Sequence, residues 1–414
     1  MSQASSGFLG RVQTFGRLFC ESLLFVLLFG SCRQFPTAEP KTDMERQGRD
    51  IFRDDTFGDD AYWTDTAKLN EVVQHRIRPL TALGLGLKVD MGRLNLIKFL
   101  LHNPFSTSGT RELLRENAVV GVRAKVEHGK IVQIGITCAL CHSTVDNALL
   151  PGIGHRLDGW PNRDLKVGKI LAMLANYTEG QKVVLRGWPT GTYDPRFNFD
   201  GQSTPLTLPP AHGLADVKNE TYTAEGPMSY WNAYVAVTQM HGHGNFSDPR
   251  IPVNIVQEPD MVTPKLAALR AYQHSIGIPP TPGASYDRGA ASRGRIVFQA
   301  NCTSCHVAVN LTDNNNGAPV DPNGMPADAI RETPANNGVL HAPSETGMDP
   351  RYAMRTTQKA YRATPLRALW QHAPYFHDGS AKSLNEVVEH YNRVRNLRLT
   401  DGQKKDLVEY LKSL

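Results

Sequence analysis

The sequence predicts a mainly α fold of two tandem lobes with long irregular loops. Three observations carry that expectation. One pentapeptide pattern, two cysteines two residues apart and a histidine directly after, occurs twice: Cys138-Ala139-Leu140-Cys141-His142 and Cys302-Thr303-Ser304-Cys305-His306. The copies lie 164 residues apart and are the only internal repeat found in the chain. Segments with apolar residues at helical spacing flank them, and Gly- and Pro-rich runs separate these segments. A chain of 414 residues is long enough for two or three domains and a sizeable core.

The repeated pattern is the attachment motif of a c-type haem. The thiols add to the porphyrin vinyl groups, and the adjacent imidazole is delivered to one axial face of the iron. The sequence therefore predicts two covalently bound haem c groups, with His142 and His306 as proximal ligands. The six cysteines are residues 20, 32, 138, 141, 302 and 305. The two motifs use every cysteine beyond residue 32, which leaves no disulfide framework. Hydrophobic residues make up 40% and charged residues 21%, an ordinary globular balance. The net charge of +5 is mild. No basic stripe with interleaved aromatics is present, so nucleic acid is not an expected partner.

Residues 1–32 read as an export signal. Arg11 and Arg17 precede an apolar run from Leu18 to Phe29, interrupted by Glu21. The run ends in Phe29-Gly30-Ser31-Cys32, which resembles a bacterial lipoprotein signal whose cysteine is lipidated and becomes the first mature residue. Phe29 stands where such signals usually carry Leu. The other readings are a cleaved signal or an uncleaved anchor, and the run is short for a membrane span. Each places the body on the periplasmic side of a bacterial membrane, tethered through Cys32, or secretes it. Residues 33–50 are polar, contain Pro36 and Pro40, and read as a tether.

Residues 51–281 form the expected N-terminal haem domain, with an extra segment before the motif. Thr66–Arg76 has Leu69, Val72 and Val73 on one helical face, Leu94–Leu101 is a second apolar helical segment, and Val119–Ile136 reads as a hairpin around His128-Gly129. This segment is expected to wall the first haem. From Cys138 to about Pro280 the chain is loop-rich, apart from a helix over Pro264–Ser275. The breaker Gly277-Ile278-Pro279-Pro280-Thr281-Pro282-Gly283 marks the boundary. Residues 282–414 form the expected C-terminal domain. A helix over Ser292–Asn301 leads into the second motif, and Gly294 permits close crossing by another helix. That partner is the last segment, capped at Thr400-Asp401 with Leu407, Tyr410, Leu411 and Leu414 on one face. A first and a last helix crossing beside the haem is the cytochrome c arrangement. Asn310–Pro350 reads as a long surface loop.

Three segments carry a family resemblance: Thr364-Pro365-Leu366-Arg367-Ala368-Leu369, Ala373-Pro374-Tyr375-Phe376-His377-Asp378-Gly379-Ser380, and Leu384-Asn385-Glu386-Val387-Val388. They resemble the bacterial di-haem cytochrome c peroxidase and MauG superfamily, strongly over about 290–414 and more weakly over about 137–250. Residues 33–135 lie outside it; with Gly201 to Pro249 they look more like the subgroup that includes the rubber oxygenase RoxA.

The resemblance implies a six-coordinate C-terminal haem that relays electrons. Its second ligand follows the His377 segment; by register it falls on Tyr391, with His390 next to it as the other candidate. Met348 and Met354 are the lesser ones. The resemblance makes the N-terminal haem the reactive one, its distal face closed by a histidine after Ile-Gly. Ile153-Gly154-His155 lies in a matching place. His241 and His243 are further candidates for distal acid–base work, since imidazole titrates near working pH. His377 is placed among the catalytic residues. The bridging Trp expected between the haems is Trp231, with Trp160 second. The family's inter-haem calcium uses Asn, Thr and Pro positions; Pro374 is present, but His372 replaces the Thr. The implied activity is a peroxidase-like oxidoreductase that uses peroxide or dioxygen and takes electrons from a small cytochrome or cupredoxin, commonly as a homodimer. The alternatives are a RoxA-like dioxygenase that cleaves an apolar polymer and a non-catalytic electron-transfer lipoprotein.

Overall fold

Thr42 opens the described fold with a reciprocal cap. Its hydroxyl accepts the Glu45 amide, and the Glu45 carboxylate accepts the Thr42 amide. Helix α1, Asp43–Asp54, follows. The structure, a computed structural model, describes residues 39–101, 103, 105–215, 217, 219–306 and 340–414. The segment read as an export signal with Cys32, residues 33–38 of the expected tether and residues 307–339 of the expected long loop lie outside the described residues.

The remaining elements that position the site are α2 (Leu69–Arg76), the antiparallel pair β1 (Val122–Glu127) and β2 (Lys130–Ile136), the short helix α3 (Ala139–His142), and the antiparallel pair β3 (Ser143–Val145) and β4 (Arg156–Asp158). Then come α4 (Met228–Tyr234), α5 (Leu266–Ser275), α6 (Arg288–Asn301), the pair β5 (Leu340–His341) and β6 (Tyr361–Arg362), α7 (Leu384–Val394) and α8 (Asp401–Ser413). The chain is mainly α, and the sheets among the described residues are two-stranded ribbons.

The tether reading is corrected from Asp43 onward. α1 buries Gly48, Ile51 and Phe52. A Cβ on Gly48 would sit 1.9 Å from the Ala268 carbonyl oxygen of α5, so the two helices touch backbone to backbone. The polar composition concealed this because the apolar face consists of only those three residues. The long-loop reading is also shortened, since β5 and a turn of helix at Pro343–Thr346 fall within it.

Two apolar clusters draw on residues between Ile51 and Ile276, and a third on residues between Tyr286 and Leu414. The first cluster joins α1, α4 and α5 through Phe52, Trp231, Tyr234, Leu269 and Tyr272. Burying each such side chain stabilises the fold by about 1.5–3 kcal/mol. The third cluster is built on the crossing of α6 with α8, where a Cβ on Gly294 would lie 2.0 Å from the Asp406 carbonyl oxygen. The two parts of the chain are clamped together. Arg355 is buried against Asp194 (2.8 Å) and Asp200 (2.7 Å), and the Thr207 amide donates to the His377 carbonyl at 2.7 Å.

Candidate functional site

The first motif is held by backbone contacts. β2 runs into Thr137, whose amide donates to the Gly121 carbonyl and whose hydroxyl donates to the Arg53 carbonyl. Cys138 then caps α3. Gly121 has φ +74°, and a Cβ there would meet the Leu140 nitrogen at 2.1 Å, so the turn requires glycine. The carbonyls of Cys141 and His142 are taken by the amides of Asn162 and Gly159, both at 2.8 Å. The second motif closes α6. The Cys302 amide donates to the Phe298 carbonyl at 2.8 Å, and the His306 amide to the Cys302 carbonyl at 2.9 Å.

The two imidazoles are fixed in the same way. Nδ1 of His142 donates to the Pro209 carbonyl at 3.1 Å, and the His306 ring is hydrogen-bonded to the Thr364 carbonyl. A carbonyl on one ring nitrogen fixes tautomer and orientation and leaves the other nitrogen for metal. Burial lowers the pKa of both rings, His306 to about 4, with the charge of His341 as a further cause there. None of the four motif thiols is in a disulfide. Burial pushes the thiols of Cys138 and Cys141 up to about 12.

Both motifs open into one continuous cavity of about 530 Å³. Its wall holds Cys138, Cys141 and His142 together with Cys302, Cys305 and His306. Several buried nitrogens facing it have no hydrogen-bond partner, among them Trp231 Nε1, His341 Nε2 and His372 Nε2. Such groups are costly unless a guest pairs with them or packs over them. Paired thiols, oriented imidazoles and a mostly apolar cavity fit haem c at both motifs.

The distal candidates separate. His241 lines the cavity at φ +64°, stacks on Tyr62 with ring centroids 3.6 Å apart, and has its pKa lowered to about 4 by burial. Trp63, from a π-helical turn at Tyr62–Thr66, lies beside it and donates its indole N–H to the Met240 carbonyl at 2.9 Å. His243 points away, bonded to the Glu258 carbonyl at 3.1 Å. His155 lies apart from the other candidates. Its ring is 40% exposed, pairs with Asp146 at 2.9 Å, and is not part of the cavity wall. The Asp146 carboxylate also accepts the His155 amide at 2.8 Å, which turns this histidine outward.

On the second motif's side, Tyr391 lines the cavity, and burial followed by the nearby Cys305 and Cys302 raises its phenol to about 12. His390 is committed to the Thr346 carbonyl at 2.8 Å and is absent from the wall. Met348 faces the cavity, whereas Met354 is exposed. His377 is buried in the wall, stacked on Tyr361 with centroids 4.4 Å apart and hydrogen-bonded to its hydroxyl at 3.0 Å. Trp231 lines the cavity; Trp160 does not, and packs edge-on against Trp370 at 5.5 Å.

Sequence reasoning missed His341. It sits on β5, its Nδ1 is 3.1 Å from Glu345, and its unpartnered Nε2 faces the cavity near His306. A histidine at the edge of an irregular segment carries no spacing signal. The calcium that the family resemblance raises, and that His372 already puts in doubt, does not fit the side chains found before Pro374. His372 and His212 present imidazole nitrogens there, whereas calcium takes oxygen ligands.

A family model described as RoxA-like, cytochrome c-like matches residues 360–398. MauG, the methylamine utilization protein of Methylorubrum extorquens, is 28% identical over 171 residues, covering 36% of this chain and 43% of that protein. MauG of Methylophilus methylotrophus is 26% identical over 140 residues (30% and 36%). The cytochrome-c peroxidase IdrP1 of Denitromonas iodatirespirans is 26% identical over 191 residues (37% and 50%). This chain resembles the di-haem cytochrome c peroxidase and MauG superfamily. Its RoxA-like link lies in the segment that holds His377, His390 and Tyr391. The chain spans half or less of the length of each of these relatives. Among the described residues no helix is long and apolar enough to cross a membrane.

Proposed function

We propose that this chain is an exported di-haem c-type oxidoreductase with a reactive N-terminal site and an electron-relaying C-terminal site. The observation that carries this is the single cavity shared by both motifs, with different side chains beside each. Haem c iron supplies the redox chemistry: with an open axial face it takes peroxide or dioxygen, and with two protein ligands it passes electrons.

The chain's own residues divide that work. Pro209 and Thr364 hold His142 and His306 in the ligating tautomer. Tyr391 would serve as the second protein ligand of a haem held at the C-terminal motif, and the unpartnered Nε2 of His341 makes that histidine the other candidate. At the N-terminal site His241 is the residue that moves a proton. It is neutral at working pH, and Tyr62 and Trp63 fix its ring. Trp63, Trp231 and Met240 exclude bulk water from the same wall. Trp231, a member of the first apolar cluster that also lines the shared cavity, is the bridging aromatic of this reading. An electron donor such as a small cytochrome or cupredoxin suits a peroxidase reaction.

A second reading, cleavage of an apolar polymer by dioxygen, is favoured by the RoxA-like match and by the mostly apolar wall. Holoprotein turnover separates them. Peroxide consumption with a reduced small cytochrome is expected on the first reading, and polyisoprene cleavage without a donor on the second. Failure of both would leave the carrier role.

A further inference from the structure

The loops that orient the two proximal imidazoles meet. His212 follows Pro209, whose carbonyl holds His142, and His372 follows Thr364, whose carbonyl holds His306. Their ring centroids are 5.8 Å apart. Nδ1 of His212 and Nε2 of His372 are both buried with no partner. His212 Nε2 is taken by the Gln371 side-chain amide at 2.8 Å, so the proton of its neutral ring is on Nδ1, facing no acceptor. Arg163 joins them one residue after Asn162, the residue that caps the Cys141 carbonyl. Its Nε and Nη1 are buried and unpartnered, and Tyr222 is its side-chain hydrogen-bond partner. Arg163 and His212 are both close enough to His372 to act on it electrostatically, and all three line the same cavity wall.

Unpaired donors are concentrated at this point of the wall. The two carboxylates lining the cavity are engaged elsewhere, Glu220 with Arg362 and Glu345 with His341. A buried guanidinium without an anion is strongly unfavourable. The missing partner is therefore an anion with at least two acceptor oxygens.

We propose that Arg163, His212 and His372 form a carboxylate-receiving nest at the junction of the two motifs, and that haem propionates occupy it. This rests on the di-haem reading above. The nest takes the place of the family's calcium position as a charge anchor: donors meet carboxylates here, with no cation between them. A guanidinium beside a propionate also stabilises the reduced haem relative to the oxidised one.

The test uses holoprotein of the parent and of Arg163→Gln, Arg163→Lys and His372→Leu. Haem per chain is counted first by the pyridine haemochrome spectrum. Midpoint potentials and the propionate bending bands in resonance Raman spectra follow. With two haems retained, Arg163→Gln is expected to shift the bending band. It should also lower one midpoint enough to change the reduced-to-oxidised ratio about tenfold at a fixed potential, roughly 59 mV for a one-electron couple. Arg163→Lys should recover much of that shift. Should Arg163→Gln fail to fold, the Lys and His372→Leu variants carry the same comparison. Unchanged potentials and bands in every variant that keeps two haems would overturn the nest. So would a Soret response to added acetate that is present in the parent and absent in Arg163→Gln, because the nest would then be taking a free carboxylate. A parent with fewer than two haems would instead overturn the reading beneath it.

Discussion

The two haem motifs sit in differently built surroundings. The second ends a long helix that crosses the last helix at Gly294, and two side chains with ligand chemistry, Tyr391 and His341, stand close by. The first ends a β-ribbon, and its surroundings come largely from outside the helical pair. Trp63 and Tyr62 come from the extra N-terminal segment, and His241 from the turn after a π-helical stretch at Val235–Gln239. The same motif thus stands beside two side chains with ligand chemistry at one end of the cavity. At the other end it stands beside an aromatic wall with one neutral imidazole. On the proposed reading, the difference between the two sites is set by what the rest of the chain brings to each motif, not by the motif itself.

The strongest way to break that contrast is to remove one attachment at a time. Cys138→Ala with Cys141→Ala should leave one haem per chain by intact mass and haem stain, and should abolish peroxide turnover. The matching pair at Cys302 and Cys305 should leave one haem that still binds cyanide. Next in size, His241→Ala should lower peroxide turnover by about 10²-fold or more, the usual scale for a lost general acid–base group. His155→Ala and His243→Ala should stay within about twofold. Equal losses in all three would remove the special place of His241. On the relay side, Tyr391→Phe should change the low-spin signal of one haem in electron paramagnetic resonance, and His390→Ala should leave it alone.

Stability changes are smaller and sharpen the same comparison. Gly294→Val drives a side chain into the Asp406 carbonyl and should cost about 1–3 kcal/mol, read as a lower Tm. His241 carries a pH signature. Burial lowers its pKa from 6.5 to about 4, so as pH falls the unfolded chain takes up the proton first. Its contribution is complete above about pH 6.5 and is lost as pH falls towards 4, on the order of 2 kcal/mol over that window. Denaturant titrations from pH 7.5 to 4.5 should show a shallower decline for His241→Gln than for the parent.

Much of the second motif's surroundings was legible in the sequence, because its signals are local. The helix before Cys302 shows at its apolar spacing, Gly294 marks the crossing, and Thr400 with Gln403 writes a capping box. Tyr391 and its neighbour His390 were reached only by counting from the His377 segment of the family resemblance, and the structure separates them, with Tyr391 on the cavity wall and His390 bonded to the Thr346 carbonyl. The first motif's surroundings were less legible because they are assembled over long separations. Trp63 meets Met240 across 177 positions, and Arg53, Ser143 and Tyr272 converge on Asp158. No spacing rule announces such meetings. The local Ile-Gly-His phrase around His155 says nothing of Asp146, whose carboxylate engages the ring. α1 was hidden by composition, since three buried residues among twelve suffice to dock it.

The most direct test of the contrast is ligand binding by the oxidised and half-reduced holoprotein, followed by electron paramagnetic resonance while cyanide is added. The predicted result is two haems per chain, one low-spin throughout and one high-spin haem that converts on cyanide binding, with Cys138→Ala/Cys141→Ala removing the converting signal. Two low-spin haems that ignore cyanide in both redox states would contradict it, as would a converting signal that survives that double substitution.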